Sequence, residues 1–230
     1  PVCHVEAGLR SYDLTMPEEV NRRLTDHTSS VLFTPTKTAT RNLLSENLPR
    51  SRIYNHGDTM VDSFLSVKKS IASSYVVERH GLERKGYAVL TCHRSENVDN
   101  VDRLTSILRG ITALREIPIV LPIHPHTRDC IERAGLWDKL TRVKHLRIVE
   151  PLGYVDMLAL MSGSQLVVTD SGGLQKEAFL LGVSCVTLRV NTEWVETLQL
   201  GVNILAGWRW RRIVSTVRDT LKTDFRRRFR

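Results

Sequence analysis

With 230 residues, 41% hydrophobic and 25% charged, the chain has material for one large or two modest domains with an ordinary core. Its most apolar run, residues 178–188, is short and broken by Gly182 and Ser184, which excludes a membrane-spanning helix there. The net charge of +8 is lopsided: residues 209–230 hold nine basic and two acidic side chains and leave +1 for the preceding 208. A basic run by itself specifies no partner, so a solvated helix face is expected in preference to a nucleic-acid surface.

Residues 2–5 form a short apolar run that opens into Glu6-Ala7-Gly8, as a strand does where its carboxyl end meets a loop. The opening Pro-Val-Cys-His-Val has no basic stretch followed by an apolar one, so no leader is expected. Pro17 with Glu18 and Glu19 predicts a helix start, and the helix should run to about His27 with Val20 and Leu24 on one face. Thr15-x-x-Glu18 fits a capping box. A strand over 31–34, a helix over 37–47, a strand over 52–55 and a helix over 59–73 follow. Charged, glycine-containing residues 77–86 read as a linker. Beyond them, strands are predicted at 87–91, 119–123, 146–149, 166–169 and 185–189, with helices over 99–114, up to about 134, over 155–161 and over 174–182 between them. Strands alternating with helices imply parallel sheets with helices on their faces, hence an α/β chain with a nearly complete Rossmann-like second half. The four scattered cysteines, Cys3, Cys92, Cys130 and Cys185, suit free buried thiols in a reducing cytoplasm.

Residues 165–182 read as a buried strand, a tight turn over 170–173 and a helix that stops at Gly182. Such a turn leaves backbone N–H groups free at the positive end of a helix, and Gly172 and Gly173 let an anion approach them, with the Ser171 hydroxyl alongside. Glu177, one turn on, is placed to accept hydrogen bonds from a sugar hydroxyl. The competing explanation makes Asp170 or Ser171 an N-cap and the glycines a plain turn. Neither a Gly-x-Gly-x-x-Gly nor a Walker lysine loop is present, and no cofactor is expected.

Open parallel sheets bind ligands at the carboxyl ends of their strands, and Glu6, His93 with Arg94 and Glu96, His124 and residues 171–173 all fall there. His93, beside carboxylates, suits proton transfer. A solvated loop acid is the plain alternative for Glu6, and a cap partner for Glu18. His124 and His126 flank Pro125 without a nearby pair of cysteine ligands, so no metal site is expected.

Taken together, His4-Val-Glu-Ala-Gly-Leu-Arg10, Pro17-Glu-Glu-Val-Asn-Arg22, His93-Arg-Ser-Glu-Asn97, Thr169-Asp-Ser-Gly-Gly-Leu-Gln175 and Asn191-Thr-Glu-Trp-Val-Glu196 resemble, in this order, the non-hydrolysing UDP-N-acetylglucosamine 2-epimerases. The resemblance covers residues 1 to about 207. It implies two Rossmann-like domains of the glycosyltransferase-B type, the N-terminal one incomplete, with an active site in the cleft between them. It further implies interconversion of UDP-N-acetylglucosamine and UDP-N-acetylmannosamine for cell-surface polysaccharides, by a cytoplasmic homodimer. UDP would be eliminated to give a 2-acetamidoglucal and then added back. By motif matching, Glu6 and Glu18 would be the acid/base carboxylates and His93 would contact the diphosphate. Ser171, Gly172 and Gly173 would hold the phosphates, Glu177 the ribose, and Leu152 and Met157 would frame the uracil.

The implied domains are residues 1–76, a linker at 77–86, a UDP-binding domain at 87–208 and a basic tail at 209–230. Some positions depart from the family pattern. Members carry a catalytic aspartate in a Gly-Asp-Thr turn upstream of the first motif found here. His56-Gly-Asp-Thr59 falls after the Pro-Glu-Glu helix, so Asp58 is not given that role. Trp194 stands where an arginine is frequent, and the closing Gly-Asp-Gly segment is not recognisable past Gly207. These departures imply a shortened chain and give a competing expectation, a catalytically silent UDP-binding fragment. A UDP-sugar glycosyltransferase on the same fold is the weaker alternative, since the paired Glu6 and Glu18 motifs have no purpose there.

Overall fold

A computed structural model of the chain describes residues 1–223. The chain forms two compact units: Pro1–Ser66 with Asn191–Trp194, and Val67–Val190 with Val195–Arg230.

Unit 1 contains strands β1 (Cys3–Val5), β2 (Val31–Thr34) and β3 (Ile53–Asn55), helices α1 (Pro17–Thr28) and α2 (Lys37–Ser45), and the start of α3 (Thr59–Ser73). The strands pair in parallel in the order β1-β2-β3. Ala7, Leu32, Leu43, Leu48 and Ile53 form its apolar core, and Leu9, Ala39 and Trp194 a second small cluster.

Helix α1 turns two of its acids, not its apolar pair, inward. Val20 and Leu24 are 38% and 61% exposed, while Glu19 and Asp26 are completely buried. The physical reason is the chain after β1, which turns Arg10 and several N–H groups inward and requires acceptors there. Arg10 Nη1 donates to Asp26 at 2.6 Å, and its Nε and Nη2 donate to the two oxygens of Glu46, each at 2.7 Å. The capping box does not form either: Met16 is the N-cap residue and makes no side-chain capping bond, and Thr15 bonds Asp13 instead.

Unit 2 continues with α4 (Val76–Arg79), β4 (Ala88–Thr91), α5 (Ser95–Val98), α6 (Val101–Thr112), β5 (Ile119–Pro122), α7 (Pro125–Arg133), α8 (Trp137–Thr141) and β6 (Leu146–Val149). It is completed by α9 (Tyr154–Gly163), β7 (Leu166–Thr169), α10 (Gly172–Leu180), β8 (Ser184–Thr187), α11 (Val195–Gln199), β9 (Asn203–Leu205) and α12 (Trp210–Lys222). Its sheet is wholly parallel in the order β6-β5-β4-β7-β8-β9. Counted within the unit, that is the Rossmann order 3-2-1-4-5-6. Strand β9, which the sequence does not announce, completes it.

Two boundaries also differ from expectation. The segment read as a linker lies inside unit 2: Val76 and Val77 are buried, and Lys85 Nζ donates to the carbonyls of Ser162 and Ser164 at 2.8 and 2.7 Å. The segment read as a basic tail is largely α12, which packs on α6 through Ile213, Val214 and Val217. Its Arg209 lies 5.7 Å from the Trp208 centroid and its Arg211 5.3 Å from that of Trp210, on which Arg109 of α6 also lies, at 4.1 Å. The closing arginines from 226 onward fall outside the described residues. Among the described residues, no helix is long and apolar enough to cross a membrane.

Candidate functional site: a phosphate seat at the strand switch point

In a sheet of this order the chain leaves in opposite directions from the two central strands, and the loops beyond their carboxyl ends open a crevice. Here those strands are β4 and β7, joined at their ends by a 2.6 Å bond between the Thr91 and Thr169 hydroxyls. The loop after β4 carries His93, and the loop after β7 carries Asp170 and Ser171.

Asp170 holds the two loops together. Fully buried, it accepts from the His93 N–H at 3.1 Å on both oxygens, from the Arg94 N–H at 3.0 Å and from Asn97 Nδ2 at 3.1 Å. Asn97 also donates to the Leu188 carbonyl at 3.1 Å, which ties the His93 loop to the end of β8. The His93 ring stays accessible, 40% exposed, with Nδ1 3.7 Å from Asp170.

Ser171 is the N-cap of α10, its Oγ accepting from the Leu174 N–H at 3.4 Å. Gly172 and Gly173 therefore form the first turn of the helix, where the sequence placed them in a turn ahead of it. The capping role does not preclude an anion there: N–H groups of a first helical turn have no partner within the helix, and the helix dipole favours negative charge beside them.

Glu177 is buried one turn further on, and burial raises its carboxyl above the ordinary range against a hydrogen bond from the Tyr154 hydroxyl. Tyr154 opens α9, so this bond joins α9 to α10. Leu152 and Met157 flank Tyr154 in sequence and are half-buried. His93, Ser171, Gly172, Gly173, Glu177, Leu152 and Met157 thus all belong to unit 2.

Glu6 and Glu18 belong to unit 1 and are exposed. Glu6 adopts φ +72°, a left-handed backbone uncommon for a residue with a side chain, and such strain persists where its surroundings enforce it. The enforcement is visible two to four residues later. The Gly8 N–H donates to Asp26 at 3.1 Å, the Gly8 carbonyl accepts from Asn42 at 2.9 Å, and Arg10 is clamped between Asp26 and Glu46. Gly8 itself sits at φ +82°, with the Ala39 carbonyl oxygen 2.3 Å from where a Cβ would stand. His4 Nδ1 lies 2.6 Å from the second Asp26 oxygen.

Arg10 and Glu46 in this clamp are shifted in opposite directions. Burial works against Arg10's charge, but its bonds to Glu46 and Asp26 more than offset that and raise its pKa. The Arg10 bond pulls the Glu46 carboxyl down to about 2. Glu19, beside Glu18, is the buried acid: burial opposes its ionisation, yet the Ser11 N–H and hydroxyl with Arg23 and Arg22 hold it below the ordinary range.

Sequence reasoning had treated Asp170 only as a cap and had not singled out Asn97, Tyr154 or the Arg10 clamp. The signal for Asp170 was its place directly after a strand and before a capping serine. For Arg10 it was a cation directly after the small, apolar Ala7-Gly8-Leu9. Among the described residues, Asp99, His126 and Cys130 also gather in metal-ligand fashion.

A wholly parallel sheet of Rossmann order, with a serine-capped glycine turn at its switch point, defines a Rossmann-like α/β protein. The family model described as UDP-N-acetylglucosamine 2-epimerase matches residues 1–229, and the chain belongs to this family. It is 44% identical over 218 residues to a UDP-N-acetylglucosamine 2-epimerase homolog of Methanococcus maripaludis, covering 94% of this chain and 60% of the relative. It is 45% identical over 225 residues to the UDP-2,3-diacetamido-2,3-dideoxy-D-glucuronate 2-epimerase of Pseudomonas aeruginosa, covering 96% of this chain and 61% of that relative. The crystal structure of Methanocaldococcus jannaschii UDP-GlcNAc 2-epimerase in complex with UDP-GlcNAc and UDP superposes with a TM-score of 0.92 at 43% identity, over 97% of this chain and 63% of that one. The chain therefore spans about three fifths of the length of the relatives it matches. The expected class, an α/β chain of the glycosyltransferase-B type in the isomerase family of nucleotide-sugar epimerases, agrees with these matches.

Proposed function

We propose that this chain carries the UDP-binding portion and part of the catalytic machinery of a UDP-N-acetylglucosamine 2-epimerase. The observation that carries this reading is the Asp170 carboxylate, which fixes the His93 loop against the Ser171-capped helix at the switch point of the sheet.

The chemistry explains the residue types. The proton at C2 of the sugar is not next to a carbonyl and is not acidic, so direct abstraction to a stabilised carbanion is closed. In the proposed path a carboxylate takes the C2 proton as the C1–O bond breaks. The electron pair of that bond leaves with UDP, and a C1=C2 double bond remains in a 2-acetamidoglucal. Re-addition of UDP at C1, with proton delivery to the other face of C2, gives UDP-N-acetylmannosamine. Glu6 and Glu18 take the proton-transfer roles. His93 donates to the departing diphosphate, and Ser171, Gly172 and Gly173 stabilise its charge. Glu177 receives the ribose hydroxyls, and Leu152 and Met157 frame the uracil. A homodimer in the cytoplasm supplying mannosamine units for surface polysaccharide completes the proposal.

The identity with the Pseudomonas relative favours a second substrate, the diacetamido glucuronate analogue, through the same elimination. Incubation with each UDP-sugar in heavy water, followed by mass and NMR analysis at C2, tests both. Deuterium with the inverted sugar is the expected result. UDP affinity without exchange would identify a nucleotide-binding piece that lacks the chemistry, and no UDP affinity would overturn the reading altogether.

A further inference from the structure

Outside the phosphate seat, three side chains of different chemistry converge on the far side of the His93 loop. Asp99 directly follows α5, and His126 and Cys130 lie one turn apart on α7, which is the i, i+4 spacing that puts two ligands on one helix face. His126 Nε2 is 2.8 Å from Asp99 Oδ1, Cys130 Sγ is 3.5 Å from the same oxygen, and Cys130 Sγ is 3.8 Å from His126 Nε2. A tetrahedral zinc ion with bonds of about 2.0 Å to nitrogen and oxygen and about 2.3 Å to sulfur requires ligand–ligand edges of roughly 3.3–3.5 Å. The observed triangle brackets those values and needs about half an ångström of opening at the histidine–aspartate edge and a few tenths of closing at the sulfur–histidine edge.

The surroundings fit as well. Arg133 Nη2 donates to Cys130 Sγ at 3.1 Å and so holds the sulfur in place beside His126 and Asp99. A cavity of about 290 Å³ lined by Val98, Asp99, Val101, Cys130, Arg133 and Ala134 opens beside the group and leaves room for water in a fourth coordination position. His126 and Asp99 are 42% and 49% exposed, so an ion can enter, while Cys130 is 6% exposed and gives the site a fixed base.

We propose that Asp99, His126 and Cys130 form a binding site for a single thiophilic divalent cation, zinc being the best fit, with solvent as the fourth ligand. This departs from the expectation that no metal binds, which weighed His124 with His126 and overlooked Cys130 one turn later. On binding, the Cys130 thiol gives up its proton to solvent and the ion takes the sulfur and imidazole lone pairs. The site ties α5 to α7. Because α5 carries Asn97, which donates to Asp170, an occupied site stiffens the loop that presents His93.

Cobalt(II) titration of the full chain under reducing conditions tests the site. The expected result is one cobalt per chain with intense sulfur-to-cobalt charge-transfer absorption, displaced by zinc, and a rise in melting temperature when zinc is added. Cys130→Ser removes the absorption and weakens binding at least about tenfold, His126→Asn weakens binding to a similar extent, and Cys3→Ser changes neither. Absence of the absorption at saturating cobalt, or its loss in Cys3→Ser but not in Cys130→Ser, overturns the proposal. Should Cys130→Ser fail to fold, His126→Asn decides alone: unchanged cobalt affinity in that half-exposed variant also overturns it.

Discussion

Unit 2 encloses Ile107, Ile111, Leu121, Ile131, Val168 and Val217 in one apolar core, whereas the centre of unit 1 holds Arg10, Asp26 and Glu19 as completely enclosed as its leucines. An apolar core loses free energy gradually when it is trimmed, since neighbours relax into part of the gap. An ionic one fails abruptly, because removing one partner leaves a charge in a medium that cannot solvate it. The two units of this chain should therefore break in different ways and under different conditions.

The sharpest contrast should come from Arg10→Met. It leaves Asp26 and Glu46 without their shared cation, and urea unfolding should show unit 1 destabilised by about 3–5 kcal/mol, with hydrogen exchange in β1 and α1 accelerating while the β4–β7 region stays protected. Ile107→Ala is the counterpart in unit 2, with an expected loss of about 2–5 kcal/mol confined to that unit. Reversal of that localisation in either variant would collapse the distinction between the two cores.

Asp170→Ala should cost about 1–3 kcal/mol by leaving the His93 and Arg94 N–H groups unpaired. In calorimetry it should weaken UDP binding, although on the proposed reading Asp170 touches no part of the nucleotide; retained affinity would mean that the loop holds its shape without it. Acid should act selectively on unit 1. Glu46 titrates at about 2 in the folded chain against an ordinary 4.5, so the stability it contributes is complete above 4.5 and is lost as pH falls from there toward 2. Circular dichroism during acid titration should show this loss, and Glu46→Gln should lower stability at neutral pH and flatten the same pH window. The smallest effect belongs to Val20→Ser and Leu24→Gln. Both side chains face outward from α1, and stability should stay within about 0.5 kcal/mol of the parent, as at other surface sites.

That last pair also shows where sequence patterning loses its grip. Val20 and Leu24 lie one turn apart on one face of α1, but periodicity ranks residues by hydrophobicity and has no means of foreseeing that the helix buries Asp26 instead, recruited by Arg10 from a distant part of the sequence. The long central elements were legible because their apolar residues dominate: α6 presents Leu104, Ile107, Leu108 and Ile111 to the core as their spacing requires. Strand β9 offers only Asn-Ile-Leu, too brief for any alternation to register, and its Asn203 is buried by bonds to Thr197 and Gln175 that no local pattern encodes. In α12 the arginines mask Ile213, Val214 and Val217, so a packed amphipathic helix read as a tail. The strand, serine cap and paired glycines of the proposed phosphate seat are contiguous and so legible, whereas the Asp170 contacts to residues 93, 94 and 97 span more than seventy positions.

The short segment Asn191–Trp194 belongs with unit 1 although β8 before it and α11 after it belong to unit 2. Trp194 fills the cluster with Leu9 and Ala39, and Asn191 reaches Asp13 at 3.2 Å. The polypeptide is thus threaded back through its first half, and no single scission can release either half whole. A protease cut at residues 66–67 leaves the amino-terminal piece without its tryptophan plug, and a gene fragment ending there would have to be given that tetrapeptide in trans before its second cluster could close.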